Sequence, residues 1–336
     1  MPKKIRNEWN KNLTYEKLMK AHKDSRKGKG YRKEIILFNL KQEEYVKWLL
    51  EKLQTKTYKH SGYQAFYITE PKPRVIEKSR YIDRVVHRWL VDNILKPYYL
   101  PRLINTTYAC IERRGMHKAC VNLQKMMRHC KRIWGNYYII KMDVSKYFNS
   151  IDKEILVKIL ERSIEDKDVI WLIKVIVYSN KTKGLPIGNY TSQMFANIYL
   201  NELDQFVKHK IGVNYYSRYM DDFIILVKTK IEAIEILKEI RRFLKDELHL
   251  YLNGKTQIFK STQGVNYCGY LINEYRLKIR FKGKRKLKKK VKELKYQIRT
   301  QKITSKEAQK YLCGHLGYLK IANTHELEKK LFELEE

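Results

Sequence analysis

Apolar residues recur at helical spacing over most of this chain, interrupted by short runs with the composition of strands. Residues 1–60 are basic and helical in pattern, and KQEEYVKWLLEKL (41–53) is the clearest amphipathic segment. YQAFYITEPKPRVIE (63–77) is β-like, and its two prolines, two residues apart, predict edge strands joined by a turn, because proline cannot donate to a ladder. RYIDRVVHRWLVDNIL (80–95) returns to helical spacing and is predicted to stop before Pro97. YYIIKMDV (137–144) reads as an apolar strand with one acid near its end, and DKEILVKILERSI and DVIWLIKVIVYS read as two helices before a loop at 181–192. The spacing of Phe195, Tyr199, Leu203 and Phe206 predicts a helix from Thr191 to about Lys208. VNYYSRYMDDFIILVK (213–228) predicts a hairpin with a polar tip, and 231–248 a helix with Ala233, Leu237, Ile240 and Leu244 on one face. VNYCGYLI (265–272) is expected to be one strand bent at Gly269. Leu287, Val291, Leu294 and Ile298, at spacings of 4, 3 and 4, predict a helix with a lysine-covered outer face. Helices mixed with short antiparallel strands mean an α+β protein, not a parallel doubly wound sheet.

Charge narrows the function. The 336 residues include 71 Lys and Arg against 36 Asp and Glu, a net charge of +35, with eleven Lys or Arg in 278–295 alone. A compact chain so charged repels itself unless a polyanion is at hand. Phosphate backbones are the polyanion this favours, with affinity that falls steeply with salt; a merely lysine-rich solvated surface is the competing reading. Length allows two or three domains of roughly 100–200 residues, and 43% hydrophobic content suffices for real cores. With 14 Gly and 6 Pro there is no obvious flexible linker, so closely packed domains are expected. No stretch approaches 18 uncharged apolar residues, and the N-terminus lacks the apolar region of a secretory signal. Cys110, Cys120, Cys130, Cys268 and Cys313 fit neither a disulfide framework nor a zinc pattern, and are expected to be reduced thiols, mostly in the core of a cytoplasmic protein.

The candidate chemistry begins at Tyr219-Met220-Asp221-Asp222. Adjacent carboxylates in a tight turn repel each other, and a divalent cation would offset that repulsion. Alone, such a pair reads more readily as a solvated hairpin tip. Asp143 changes the balance, because it sits on a second apolar strand, and the acids converge if the two strands are neighbours. Carboxylate oxygens suit Mg²⁺, with Mn²⁺ as a substitute. Two such ions roughly 3.5–4 Å apart would serve nucleotidyl transfer, activating a 3′-hydroxyl and stabilising the leaving pyrophosphate.

KMDVSKYFNSID (141–152), GLPIGNYTSQMFANIYLNELD (184–204) and RYMDDFIIL (218–226) resemble the successive palm motifs of reverse transcriptases. LYLNGKT (250–256) and VNYCGY (265–270) resemble the two motifs that follow, and EPKPRVI (70–76) and DRVVHRWL (83–90) the fingers motifs that precede. The matches keep family order over roughly 65–275. Group II intron and retroviral enzymes usually carry LPQG in the palm loop and Ser-Pro at the helix start; here the loop reads Leu185-Pro186-Ile187-Gly188 and the helix begins Ser192-Gln193. That form resembles the enzymes of diversity-generating retroelements, as do YACIERRGMHKA (108–119) and GHLGYLKIANTH (314–325). The Val-Thr-Gly motif of retron enzymes is absent, and with the chain stopping soon after a thumb-like region, no RNase H, maturase or endonuclease domain is expected.

The resemblance implies a right-hand polymerase: an N-terminal extension and fingers over 1–136, a palm over 137–275 with a helical insertion at 151–183, and a basic helical thumb over 276–336. It implies Asp143 and Asp221 as main metal ligands, joined by the backbone carbonyl of Val144, with Asp222 a more peripheral third carboxylate. Phe148 would lie beneath the incoming sugar and exclude a 2′-hydroxyl; ordinary core packing is the alternative. Lys72 and Arg74 would meet the triphosphate, which a guanidinium suits through its planar fork of donors. Lys255 would protonate pyrophosphate. Ile187 and Gly188 line the nucleotide loop, where isoleucine can only pack; losing a polar contact lowers selectivity, unless Ile187 simply fills a gap. Lys284, Arg285, Lys288, Lys289 and Lys292 would follow the duplex backbone without reading sequence.

The function implied is an RNA-directed DNA polymerase, specifically the error-prone enzyme that copies a template-repeat RNA into cDNA mutated at adenines. Implied partners are the template RNA, the cDNA/RNA duplex, deoxynucleoside triphosphates and a small basic helical accessory protein forming a ring, in a bacterial or phage-encoded cytoplasmic setting. A stand-alone bacterial reverse transcriptase of antiphage defence, or a group II intron-like one, is the alternative. A non-catalytic RNA-binding protein with a polymerase fold is the rival from another class.

Overall fold

The computed structural model describes residues 4–69 and 73–332. It divides into two compact units, each built from discontinuous stretches: one comprises Met1–Asn105, Val144–Ile211 and Glu239–Leu252, the other Thr106–Asp143, Gly212–Lys238 and Asn253–Glu336.

The first unit is largely helical. β1 (Tyr63–Ile68) and β2 (Arg74–Ser79) form the expected antiparallel ribbon, in register from Tyr63↔Ser79 to Ile68↔Arg74, and leave Phe66, Tyr67 and Val75 exposed. The helix Tyr81–Leu90 does not end before Pro97 as predicted. It widens into a π turn at Val91–Leu95 and resumes as Lys96–Tyr99, with Pro97 in the first turn of the new segment. The Lys96 N–H reaches back to Val91 O, and a proline near the start of a fresh turn forfeits no bond that the turn needs. Asp152 and Asp166 cap the helices Lys153–Ser163 and Lys167–Val177, each carboxylate accepting from two backbone N–H groups. The helix Tyr190–Gln205 is buried along most of its length through Met194, Phe195, Ile198, Tyr199 and Leu203.

The second unit carries a four-stranded antiparallel sheet in the order β4-β5-β3-β6, with β3 Tyr138–Asp143, β4 Tyr215–Tyr219, β5 Asp222–Val227 and β6 Gln257–Lys260. Ile139, Ile224 and Leu226 pack with Ala119, Cys120, Leu123 and Met127 of the helix Met116–Trp134. Ile140, Phe223 and Ile225 alternate with them and are equally buried, which is why these strands read as nearly continuous apolar runs. Residues 265–272 are not one bent strand but a hairpin, β7 (Val265–Tyr267) paired with β8 (Tyr270–Ile272) and extended by β9 (Leu277–Ile279). Cys268 and Gly269, at φ 47° and 91°, form a two-residue turn of left-handed conformations that reverses the chain.

The basic helix is Phe281–Arg299, which buries Leu287, Val291 and Leu294 and exposes Lys284, Arg285, Lys288, Lys289 and Lys292. Its apolar edge packs with Leu319 and Leu331 of the helices Ser305–Leu319 and His325–Phe332. The cysteines are free, but only Cys120 and Cys130 are buried; Cys268 is half-buried. Cys110 and Cys313 are exposed, against expectation, since one sits in a surface loop at φ 57° and the other on the outer side of its helix. No described helix is long and apolar enough to cross a membrane.

Candidate active site

The sheet brings the predicted acids together through register. β3 and β5 pair antiparallel with Asp143 opposite Asp222, and β4 and β5 are joined by the turn Met220-Asp221. Met220 holds a left-handed conformation at φ 59°, unusual for a residue with a side chain. Burial, and then the neighbouring charge of Asp143, push the Asp221 carboxyl up to about 6. Burial also raises Asp222, although Lys141 opposes the shift.

Two residues not singled out from the sequence organise these acids. The Lys141 ammonium lies 2.6 Å from Asp222 Oδ1 and 5.8 Å from the centre of the Tyr267 ring. Asn253 donates its backbone N–H to Asp143 O (2.8 Å) and its side-chain amide to Asp143 Oδ2. Lys255 donates its backbone N–H to Asn253 Oδ1 (2.8 Å), while its side chain is exposed. Lys141 was legible in principle, because strand alternation puts residues 139, 141 and 143 on one face.

Among the described residues, no three His, Cys, Asp or Glu side chains gather closely enough to cage a metal ion. Asp222 is ion-paired with Lys141, which leaves the mutually repelling Asp143 and Asp221 as a two-carboxylate site. That donor set fits Mg²⁺, which commonly takes one or two carboxylates and completes its shell with waters and substrate phosphates. Val144, the next residue after Asp143, makes an isolated bridge to Leu252, and the flanking bonds Ser145 N–H to Tyr251 O and Asn253 N–H to Asp143 O make that pair. The Val144 carbonyl is therefore not used in the bridge.

The nucleotide-side candidates belong to the other unit. Phe148 is half-buried in the short helix Tyr147–Ser150, and buried Tyr147 donates its hydroxyl to Ala196 O (2.6 Å). Gly184, at φ 81°, lies so close that an added Cβ would stand 2.4 Å from Phe148 O, and Leu185 N–H donates to that same oxygen (2.8 Å). Ile187 is half-buried and Gly188 exposed, and a Cβ on Gly188, at φ 116°, would meet the Ile76 side chain at 3.2 Å. Asn189 ties the loop to the ribbon: it accepts from the Ser79 hydroxyl (2.9 Å) and donates to the Tyr63 hydroxyl (3.3 Å). Phe148, the 184–188 loop and β2 thus form one neighbourhood, with the Arg74 backbone two residues from Ile76. Lys72 lies outside the described residues.

Residues 68–272, about three fifths of the chain, match the family model for reverse transcriptase (RNA-dependent DNA polymerase). The chain is 26% identical to Protein YkfC of Escherichia coli (strain K12) over 230 residues, covering 56% of this chain and 60% of that protein. It is 24% identical to the group II intron-encoded protein LtrA of Lactococcus lactis subsp. cremoris over 303 residues, covering 68% of this chain and 49% of that protein. The matches thus cover less than two thirds of the length of these curated relatives. Among solved structures, telomerase from Candida albicans, in complex with a fragment of telomeric RNA, superposes with a TM-score of 0.51 at 12% identity, covering 75% of this chain and 55% of that one. That likeness is one of fold, the mixed helical and antiparallel architecture of a right-hand polymerase.

Proposed function

The chain belongs to the reverse transcriptase (RNA-dependent DNA polymerase) family, and from that premise we propose that it copies an RNA template into cDNA by nucleotidyl transfer. The observation that carries the proposal is the facing of Asp143 and Asp222 on paired strands, with Asp221 beside them in a half-buried turn. Asp143 and Asp221 would hold Mg²⁺, with the Val144 carbonyl as a further ligand and Asp222 at the margin. The bound ions would supply activation of the 3′-hydroxyl and stabilisation of the departing pyrophosphate. Arg74 and Lys72 would bind the triphosphate, Phe148 would exclude a ribose 2′-hydroxyl, and Lys255 would donate a proton to pyrophosphate. The exposed cations of Phe281–Arg299 would track the duplex phosphates. Fingers, palm and thumb are assigned to 1–136, 137–275 and 276–336.

The more specific reading is the mutagenic enzyme of a diversity-generating retroelement, acting in the cytoplasm with a small basic ring-forming helical protein. Ile187 supports it, because an apolar side chain in the nucleotide loop offers no polar contact with which to discriminate pairs. A group II intron-like or defence enzyme is the second reading, favoured by the 303-residue match to LtrA.

Primer extension on RNA, with product sequencing, for wild type and Asp221→Asn tests these readings. The expected result is Mg²⁺-dependent cDNA that vanishes in the variant and carries errors mainly opposite adenine. Accurate copying opposite adenine would move the assignment to the second reading. No cDNA at all, even with a neighbouring small basic protein added, would leave an RNA-binding role.

A further inference from the structure

We infer that Arg218 is a positioning residue for the carboxylate turn, and that the loop following Asn105 is the device that holds it in place; the inference rests on the polymerase reading above. Arg218 is fully buried, which is rare for so large a cation. Its guanidinium donates to the carbonyl of Met220 (3.0 Å). That carbonyl belongs to the peptide linking Met220 to Asp221, so the bond fixes the plane from which the Asp221 side chain departs. The turn needs such a hold, because Met220 sits at φ 59° and the next two residues are carboxylates that repel each other and Asp143. A charged donor to a carbonyl is stronger than a neutral one, and the rigid fork of a guanidinium sets direction as well as distance.

β4 is an edge strand of the sheet, and its outer edge is where Arg218 is anchored. Arg218 N–H donates to Thr106 O (2.9 Å), Tyr108 N–H donates to Arg218 O (3.0 Å), and Thr107 bridges Arg218 in parallel. The loop thus joins the outer edge of β4 through a single parallel bridge, and Thr107, Tyr108 and Ala109 are almost wholly buried. Its own curvature is secured by Arg114, which donates to Thr107 O (2.8 Å), and by Gly115 N–H, which donates to Tyr108 O (3.0 Å). The segment YACIERRGMHKA, otherwise without a role, acts through this bracing.

The test compares wild type, Arg218→Lys and Arg114→Ala by melting temperature, by primer–template affinity in EDTA, and by the Mg²⁺ concentration giving half-maximal extension. In Arg218→Lys, duplex affinity should stay within 2-fold, the maximal rate should fall 10- to 100-fold, and half-saturation by Mg²⁺ should rise at least 5-fold, with little change in the KM for nucleotide. Loss of packing alone would lower the melting temperature but leave the Mg²⁺ midpoint of the folded protein unmoved. A folded Arg218→Lys with the wild-type rate and midpoint would overturn the inference. Should that variant not fold, Arg114→Ala decides: a 2- to 5-fold rise in the midpoint supports the bracing, and an unmoved midpoint overturns it. If wild type makes no cDNA, the polymerase reading fails by itself. Mg²⁺-dependent thermal stabilisation then replaces extension, and equal midpoints in wild type and variants would overturn the positioning role.

Discussion

Asn253 grips Asp143 at two points, donating its backbone N–H to the Asp143 carbonyl at 2.8 Å and its side-chain amide to the carboxylate. The first bond sets where Asp143 lies along the strand, and the second sets the rotation of its carboxylate. Asn253→Ala keeps the first and loses the second, together with the side-chain oxygen that accepts from Lys255 N–H. Extension rate should fall 10- to 100-fold with nearly unchanged nucleotide KM, while stability drops by about 1–2 kcal/mol, as for one partly buried and one exposed hydrogen bond. Single-nucleotide kinetics beside a urea titration check both; a rate within 2-fold of wild type would dismiss the orienting role.

Asp221 is held at a cost in the metal-free protein, because it is half-buried beside Asp143 and ionised at neutral pH against both influences. Asp221→Asn removes that charge. The metal-free variant should be more stable than wild type at pH 8 by about 1–3 kcal/mol, and should lose the stabilisation that millimolar Mg²⁺ gives wild type. Thermal melts with and without EDTA measure both; a variant that Mg²⁺ still stabilises would place the ion elsewhere.

Gly184 tolerates no side chain, since its φ is 81° and a Cβ would collide with the backbone of Phe148 and Asn149. Gly184→Ala should destabilise by about 3 kcal/mol or more, combining overpacking with left-handed strain. If the chain yields instead of unfolding, the Phe148 turn is what moves, and discrimination between deoxy- and ribonucleotides should weaken. Urea unfolding and paired dNTP/rNTP incorporation assays separate these results.

His87 is fully buried, and burial, with smaller contributions from His60 and Arg84, pushes its imidazole down to about 3. Above the unfolded value near 6.5 both states are neutral and the stability is complete. As pH falls from there toward 3, only the unfolded chain takes the proton, so stability is lost at up to about 1.4 kcal/mol per pH unit. His87→Gln should flatten the slope by close to one proton between pH 6 and 4. Stability measured at pH 7, 5 and 4 tests this, and parallel profiles for the two proteins would contradict it.

Periodicity is a local property, and wherever it is strong the elements could be read directly from the chain. Runs of apolar, aromatic and β-branched residues marked β3, β4 and β5, and the 4-3-4 spacing of Leu287, Val291, Leu294 and Ile298 marked the basic helix. The acids 143, 221 and 222 stood out because carboxylates at the ends of apolar strands have no reason to be there for packing. Pro97 and Cys268-Gly269 were misread, since a π turn and a pair of left-handed residues leave no periodic trace. The partnerships belong to tertiary structure alone. Lys141 takes Asp222 and Asn253 holds Asp143 only because the strands lie in the order β4-β5-β3-β6 with that register, an arrangement set by packing between segments that the chain separates by up to about a hundred residues.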